Sequence, residues 1–450
     1  MSPPNPIRRH RPGVLSAVIV LLLVLTGCGG GESGLSGDTG QASEVTGEFD
    51  WKRFDGESLR LVFNQHPWQE AIEPLLPEFE ELTGMTVEVE SLPEEQFRQR
   101  VQVEMTGRSD SLDVFMANVQ NEGAKFAANG WYTDLRPLAE NPAVTATDYA
   151  FDDFSEGVID GHTFAETLVG IPIQLETQML FYRTDILQEA GVEVPRTFEE
   201  LEQVAEAIDD PDGTRAFVSR GAGAAAVTQI ATYLFNYGAN WTEEGSDTAA
   251  FDSPEGVEAI DFYSRMISSY GPQGVVNMSW EEALPLFQQG QVAMYTDAST
   301  FMPNILEEST EQVSGNVGFA KMPAGPAGEF QTFNGWALGI SPFSPKQNES
   351  WYFVQWATSP DVVARLTEEG IAGARESVEF GDAYPEDWVA AFTESLPEAR
   401  PQLPKVGPVP EVRDAIGTSI VSAIQGEPVE PAVQESAEQF NSIVESAGGG

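Results

Sequence analysis

Apolar and polar positions alternate from Ser58 to Asn64, the two-residue period of a β-strand. Over residues 70–83 the period becomes helical. Ile72, Leu75, Leu76, Phe79 and Leu82 share a face, and Gly84 suits a C-terminal stop. Residues 85–89 read as a second strand, and residues 93–105 as a helix with Phe97, Val101 and Met105 on one side. Residues 113–116 form a third strand that ends at Ala117-Asn118, and a helix then runs to Asn129-Gly130, before the exposed-looking pair Trp131-Tyr132. Strands are expected again at 216–219, 292–295, 317–320 and 336–340. Helices open at the capping boxes of Thr197 and Ser279 and at Ser253-Pro254, and the last strong helix spans 411–425. This alternation predicts α/β architecture around a mostly parallel sheet. A chain of 450 residues is too long for one core, so two lobes or domains are expected.

The stretch Ile171–Arg183 stands out. Pro172 has no N–H to donate and belongs at a strand start or edge. Beyond it Gln174 and Glu176 fall on one face of an extended chain, with Ile173 and Leu175 on the other. Residues 179–182 are an apolar run suited to a buried strand. A polar pair on a crossing strand fits a hinge between lobes, with Glu176 facing the gap. The plainer alternative is an edge strand with a solvated Glu176.

Polar or aromatic residues recur where strands and turns end: Asn64, Trp68, Asn118, Glu176, Arg220, Asp297 and Trp336. In open α/β sheets ligands bind beyond the carboxyl ends of strands. Indole faces stack on the C–H faces of sugar rings and polyol chains. Carboxylates accept from hydroxyl groups, whereas Arg and Asn donate to them. For any single Trp, ordinary core packing competes with this reading. Glu176 and Asp297 also stand as a possible glycosidase pair, whose separation a sequence does not give. Gly221 to Ala226 matches Gly-x-Gly-x-x-Ala, but no clean βαβ unit follows, and Trp241 stands about 20 residues on, where an acid belongs. The run reads as a small-residue helix start that lets Arg220 approach a cleft, or as close helix packing. There is no Gly-x-Ser-x-Gly elbow, Walker motif or His-Glu-x-x-His.

The charge changes the picture. Acidic residues number 71 and basic ones 23, of which only five are lysine. Such a surface repels nucleic acid and anionic lipid headgroups. The acids are spread along the chain, which suits a solvated surface in high salt. Cys28 is the sole cysteine and His10, His66 and His162 the only histidines, so no internal disulfide and no multi-His zinc site is expected.

Arg8, Arg9 and Arg11 precede an apolar run over residues 14–24, too short to span a bilayer, as in an export signal. It ends in Leu25-Thr26-Gly27-Cys28, which resembles the lipobox of bacterial lipoproteins. That resemblance implies cleavage before Cys28, removing residues 1–27 and three arginines, and lipidation of Cys28 as a membrane anchor. The exported chain then carries 20 basic and 71 acidic residues, a net −51. Residues 28–58 are expected to be a flexible tether, on the Gly- and Ser-rich composition of 29–47.

Several motifs together carry a family resemblance. After residues 172–176 comes Phe181-Tyr182-Arg183-Thr184-Asp185, and Arg220-Gly221 follows a strand. Tyr270 to Gly274 reads Tyr-Gly-Pro-x-Gly, and Phe287 to Ala298 reads Phe-x-x-Gly-x-x-Ala-Met-x-x-Asp-Ala. Trp336-Ala337-Leu338, Trp356-Ala357-Thr358-Ser359 and the segment Pro410 to Thr418 complete the set. From about residue 59 to 444 the chain resembles bacterial extracellular solute-binding proteins of carbohydrate ABC importers, the maltose-binding-protein-like family, and most nearly its sorbitol/mannitol-type members. The resemblance implies an α/β, two-lobed periplasmic-binding-protein-like fold with three hinge crossings, near Gln174, Phe330 and Gly373. One lobe would be 59–173 completed by 331–372, the other 174–330 completed by 373–446. It implies a monomer that holds a sugar or polyol between the lobes and signals closure to a membrane permease, with no chemistry and no cofactor. By position, Glu176, Arg220, Asp297 and Trp336 are the implied site residues. Arg375 joins them in a turn reading Ala372-Gly373-Ala374-Arg375, where relatives carry a proline. The alternatives are a different small polar solute, or a surface-anchored glycoside-acting enzyme.

Overall fold

The computed structural model describes residues 42–154, 156–164, 166–397 and 399–448. Residues 1–27, expected from the sequence to be an export signal, and Cys28 lie outside the described residues. β1 (Ser58–Asn64) runs parallel to β2 (Thr86–Leu92) on one side and β3 (Val114–Ala117) on the other. β4 (Thr163–Phe164) and β5 (Thr167–Leu168) form a small separate hairpin. The two apolar runs around Gln174 join into one strand of 13 residues, β6 (Ile171–Arg183). It is followed by β7 (Arg215–Val218), β8 (Val292–Ala298), β9 (Val317–Lys321), β10 (Thr332–Ile340) and β11 (Arg400–Pro401).

Among the described residues these strands line up as β2-β1-β3-β10-β6-β8-β7, with β9 also on β6 and β11 on β10. The sheet is mixed rather than mostly parallel. β10 runs antiparallel to β3 and β6, and β6 antiparallel to β8 and β9. The reason is the crossing itself: β6 carries the chain out of one lobe and β10 brings it back. The first half of β6 pairs with β10 and the second half with β8 and β9. The register slips where Ala337 faces Pro172, the residue without an N–H.

Two hydrophobic cores result. The first holds Leu61, Phe63, Phe115, Ile171, Ile173, Trp336 and Trp351. The second holds Met179, Phe181, Ile230, Tyr263, Met294 and Ile416. The chain passes between them along β6, again between Phe330 and Trp336, and again around Ile371, Ala372 and Ala374.

Some segments depart from the pattern-based reading. The stretch from Ala42 to Phe54, placed in the tether, packs on the first core. Phe49 and Trp51 lie 5.3 and 5.6 Å from the Tyr352 ring, and the Tyr352 hydroxyl donates to the Asp50 carbonyl. Aromatic burial outweighs the glycine-rich composition beside it. Tyr132 is buried and stacks on Phe115 at 5.6 Å. A long helix, Val429–Gly448, follows the one taken as last and buries Val433, Ala437 and Phe440 against the second core. That sparse stripe is diluted by the acidic and polar residues around it. Gly221 is required for packing, because a Cβ there would lie 2.1 Å from the Val275 carbonyl oxygen.

Candidate functional site

A cavity enclosing about 480 Å³ of space, its open mouth included, lies between the two cores. β6 and β10 form its floor. Glu176 stands directly opposite Asn334 in the ladder, and the Asn334 amide donates to Glu176 Oε1 at 2.9 Å. Trp336, two residues on, faces the same way and lines the same cavity. Alternation thus delivers one carboxyl, one amide and one indole to a single surface.

The second lobe contributes Arg220, just past the end of β7. Its Nε and Nη2 donate to Asp297, which sits at the end of β8 and is fully buried. Asp297 also accepts from the Tyr295 hydroxyl and the Gln229 amide. Burial opposes the Arg220 charge, but Asp297 outweighs it and raises the guanidinium pKa. Trp280 stacks on Phe301 at 5.1 Å on the same lobe, so an aromatic from each core borders the cavity.

The first lobe answers with the helix Glu94–Gly107, whose opening turn follows the end of β2. Arg98 pairs with Glu94 at 2.6 Å and with Glu122, and its guanidinium lies 5.4 Å from the Trp336 ring centroid. Burial would push the Glu94 carboxyl up, yet Arg98, Arg220 and Arg413 together hold it at about 2. Glu176 behaves oppositely. Burial dominates there, against the Asn334 hydrogen bond and Arg220, and raises it to about 7. His66 caps the helix start at Pro67, accepting from the Trp68 N–H, and burial lowers it to about 3, so the imidazole is neutral. Arg413, from the helix Val409–Ile424, closes the ring.

Of the residues expected from sequence, Asn118, Glu176, Arg220 and Trp336 line this cavity. Asp297 does not. It stands behind Arg220 and orients it. Asn64 is buried at the end of β1 outside the lining, and His66 from the same turn takes the place at the wall. Trp68 points into the first core, edge-on to Phe63 at 5.6 Å, because the turn after β1 becomes a helix that buries it. Arg375 is a structural clamp. It donates to the carbonyls of Thr358, Ala150 and Tyr149 and lies over the Phe154 ring at 4.3 Å. The sequence reading missed His66, Glu94, Arg98, Trp280, Asn334 and Arg413. Two had a usable signal: Asn334 lies two residues before Trp336 on one strand, and Glu94 begins the helix that follows a strand end.

Among the described residues no group of three or more His, Cys, Asp or Glu is placed to hold a metal ion, and no helix is long and apolar enough to cross a membrane. A profile described as bacterial extracellular solute-binding protein matches residues 65–364. The erythritol/L-threitol-binding protein of Mycolicibacterium smegmatis is 28% identical over 379 residues, 80% of this chain and 78% of that one. The mannitol-binding protein of Pseudomonas aeruginosa is 30% identical over 334 residues, 71% of this chain and 74% of its own. A solute-binding protein of an ABC transporter from Agrobacterium vitis, solved with bound D-mannitol, superposes with a TM-score of 0.76 at 23% identity, covering 87% of this chain and 99% of that one.

Proposed function

The chain belongs to the bacterial extracellular solute-binding protein family, and on that premise we propose that it captures a short sugar or polyol between its lobes and delivers it to an ABC importer permease. The observation that carries the reading is the charge balance of the cavity. Glu94, Glu122 and Asp297 stand against Arg98, Arg220 and Arg413, and Glu176 is poised near neutrality. Fixed charges that cancel one another suit a neutral solute. Those that line the cavity, Glu94, Arg98, Arg220 and Arg413, still offer charge-assisted hydrogen bonds to hydroxyl groups, and Trp336 and Trp280 offer apolar faces. The relatives that bind erythritol, threitol or mannitol support the same class. Lobe closure is the signal a permease reads. A role without turnover is supported by Asp297, which is locked onto Arg220, Tyr295 and Gln229 and so is not placed as a glycosidase carboxylate. Membrane attachment through a lipidated Cys28 is part of the proposal.

The test is calorimetric titration of the exported chain against erythritol, ribitol, mannitol, sorbitol and maltose, with amino acids as a separate arm. Saturable binding of one carbohydrate or polyol, recovered unchanged afterwards, is expected. Binding of an amino acid alone overturns the ligand class, and consumption of the sugar overturns the receptor role. Fatty-acid labelling of cells, lost in Cys28→Ser, is the expected result for the anchor.

A further inference from the structure

Arg413 does more than line the cavity. The helix Val409–Ile424 belongs to the second core through Val412, Ile416 and Ile420. From it the Arg413 Nη2 donates to the Ala224 carbonyl at 2.7 Å, within its own lobe. Its Nη1 donates to Asn121 Oδ1 at 2.8 Å, in the turn Val119–Gly123, whose Val119 packs in the first core. One planar guanidinium therefore spans both lobes. Neither end is loose. Gly417, one turn further along, is pressed so close to Gly223 that a Cβ there would lie 2.4 Å from the Gly223 carbonyl carbon. Across the gap, the Asn121 N–H is held by Asn118 Oδ1.

The third donor is the telling one. Arg413 Nε is buried and has no partner among the described residues, although Arg413 borders the cavity. A buried donor on a charged group is costly to leave unpaired. A solute hydroxyl oxygen is the acceptor that would satisfy it once Nε, closed off from the cavity as it stands, turns to meet it. We infer that Arg413 is the positioning residue that converts solute binding into lobe closure: Nη1 fastens the lobes, and Nε receives the solute only while they are fastened. This rests on the solute-binding role proposed above. A ligand shifts such an equilibrium only by its differential affinity for the two states, and Nε supplies a contact belonging to the closed one.

The test uses the exported chain carrying Cys28→Ser, with nitroxide labels at Glu81→Cys on the first lobe and Glu206→Cys on the second. Label-to-label distances by pulsed electron resonance, with and without mannitol or erythritol, are read beside calorimetric affinities. In Arg413→Ala the closed distance is expected to lose population even without solute, and affinity to weaken roughly 10- to 100-fold. Arg413→Lys keeps the charge but not the two-armed geometry and is expected to behave like the alanine variant. Asn121→Ala, which removes only the cross-lobe bond, is expected to weaken affinity less and mainly through faster dissociation. Closure and affinity unchanged in Arg413→Ala overturn the inference, and so does lost affinity with unchanged distances. If Arg413→Ala does not fold, Asn121→Ala decides, and undisturbed closure there overturns it. If the unmutated chain binds no tested solute, the proposed ligand class fails, and ligand-free distances that do not widen in Arg413→Ala then overturn the lobe-fastening as well.

Discussion

Asp297 accepts from Nε and Nη2 of Arg220 at 2.8 and 2.5 Å, while Nη1 has no partner among the described residues. The carboxylate thus aims one donor edge of the guanidinium by occupying the other. Replacing Asp297 by Asn leaves a buried charge without its counterion, which typically costs about 3–5 kcal/mol. Asp297→Asn is therefore expected to lower the melting temperature clearly and to weaken solute binding, although Asp297 touches no solute. Unchanged melting would show that Arg220 is balanced elsewhere.

Trp336 separates packing from recognition. It lies 5.4 Å from His66 and 6.2 Å from Phe97, ring to ring, with Arg98 over its face. Trp336→Ala is expected to cost about 3–5 kcal/mol of stability, as for large aromatics in cores. Trp336→Phe retains most of the packing and is expected to fold, while calorimetry shows weakened binding through the smaller stacking face.

Glu176 predicts a pH dependence. Its carboxyl titrates near 7 in the fold, above its ordinary value near 4.5, chiefly through burial. Between those values the folded chain holds a proton that the unfolded chain has released. Its contribution to stability is therefore fully present below pH 4.5 and is lost as pH rises through about 7, by up to about 3 kcal/mol. Glu176→Gln cannot ionise and should remove this slope. Chemical denaturation of both proteins at pH 5 and pH 8 checks it: the difference in stability between variant and parent should grow in the variant's favour at the higher pH.

Arg375 and Trp68 predict the opposite phenotype. Arg375 ties three backbone carbonyls together, and Trp68 fills the first core away from the cavity. Arg375→Ala and Trp68→Phe are expected to lower the denaturation midpoint, yet to leave the dissociation constant within about threefold under conditions where the protein is folded, as for substitutions with no shared partner at the site. A large affinity loss from either would place it at the ligand.

The helices and strands around Phe79, Phe97, Phe115 and Met294 were legible because their apolar spacing is dense and their ends carry caps or glycine. The helix Val429–Gly448 was not, because only a narrow stripe of it is buried. The same divide runs through the site. Glu176, Arg220 and Trp336 announced themselves at strand ends or on one face of a strand. Glu94, Arg98 and Arg413 looked like ordinary surface charges in a very acidic chain.

By itself the sequence determined the alternating α/β elements, the polar face of the strand through Gln174 and Glu176, and an acidic surface. Each of these is a local or summed property. Only the tertiary structure decided that Trp68 packs inward, that Asp297 stands behind Arg220, and that Arg413 meets Asn121 across 292 positions of chain. Those outcomes depend on which faces two separate cores bury and on how three passages of the chain bring the lobes together, and no local period records that.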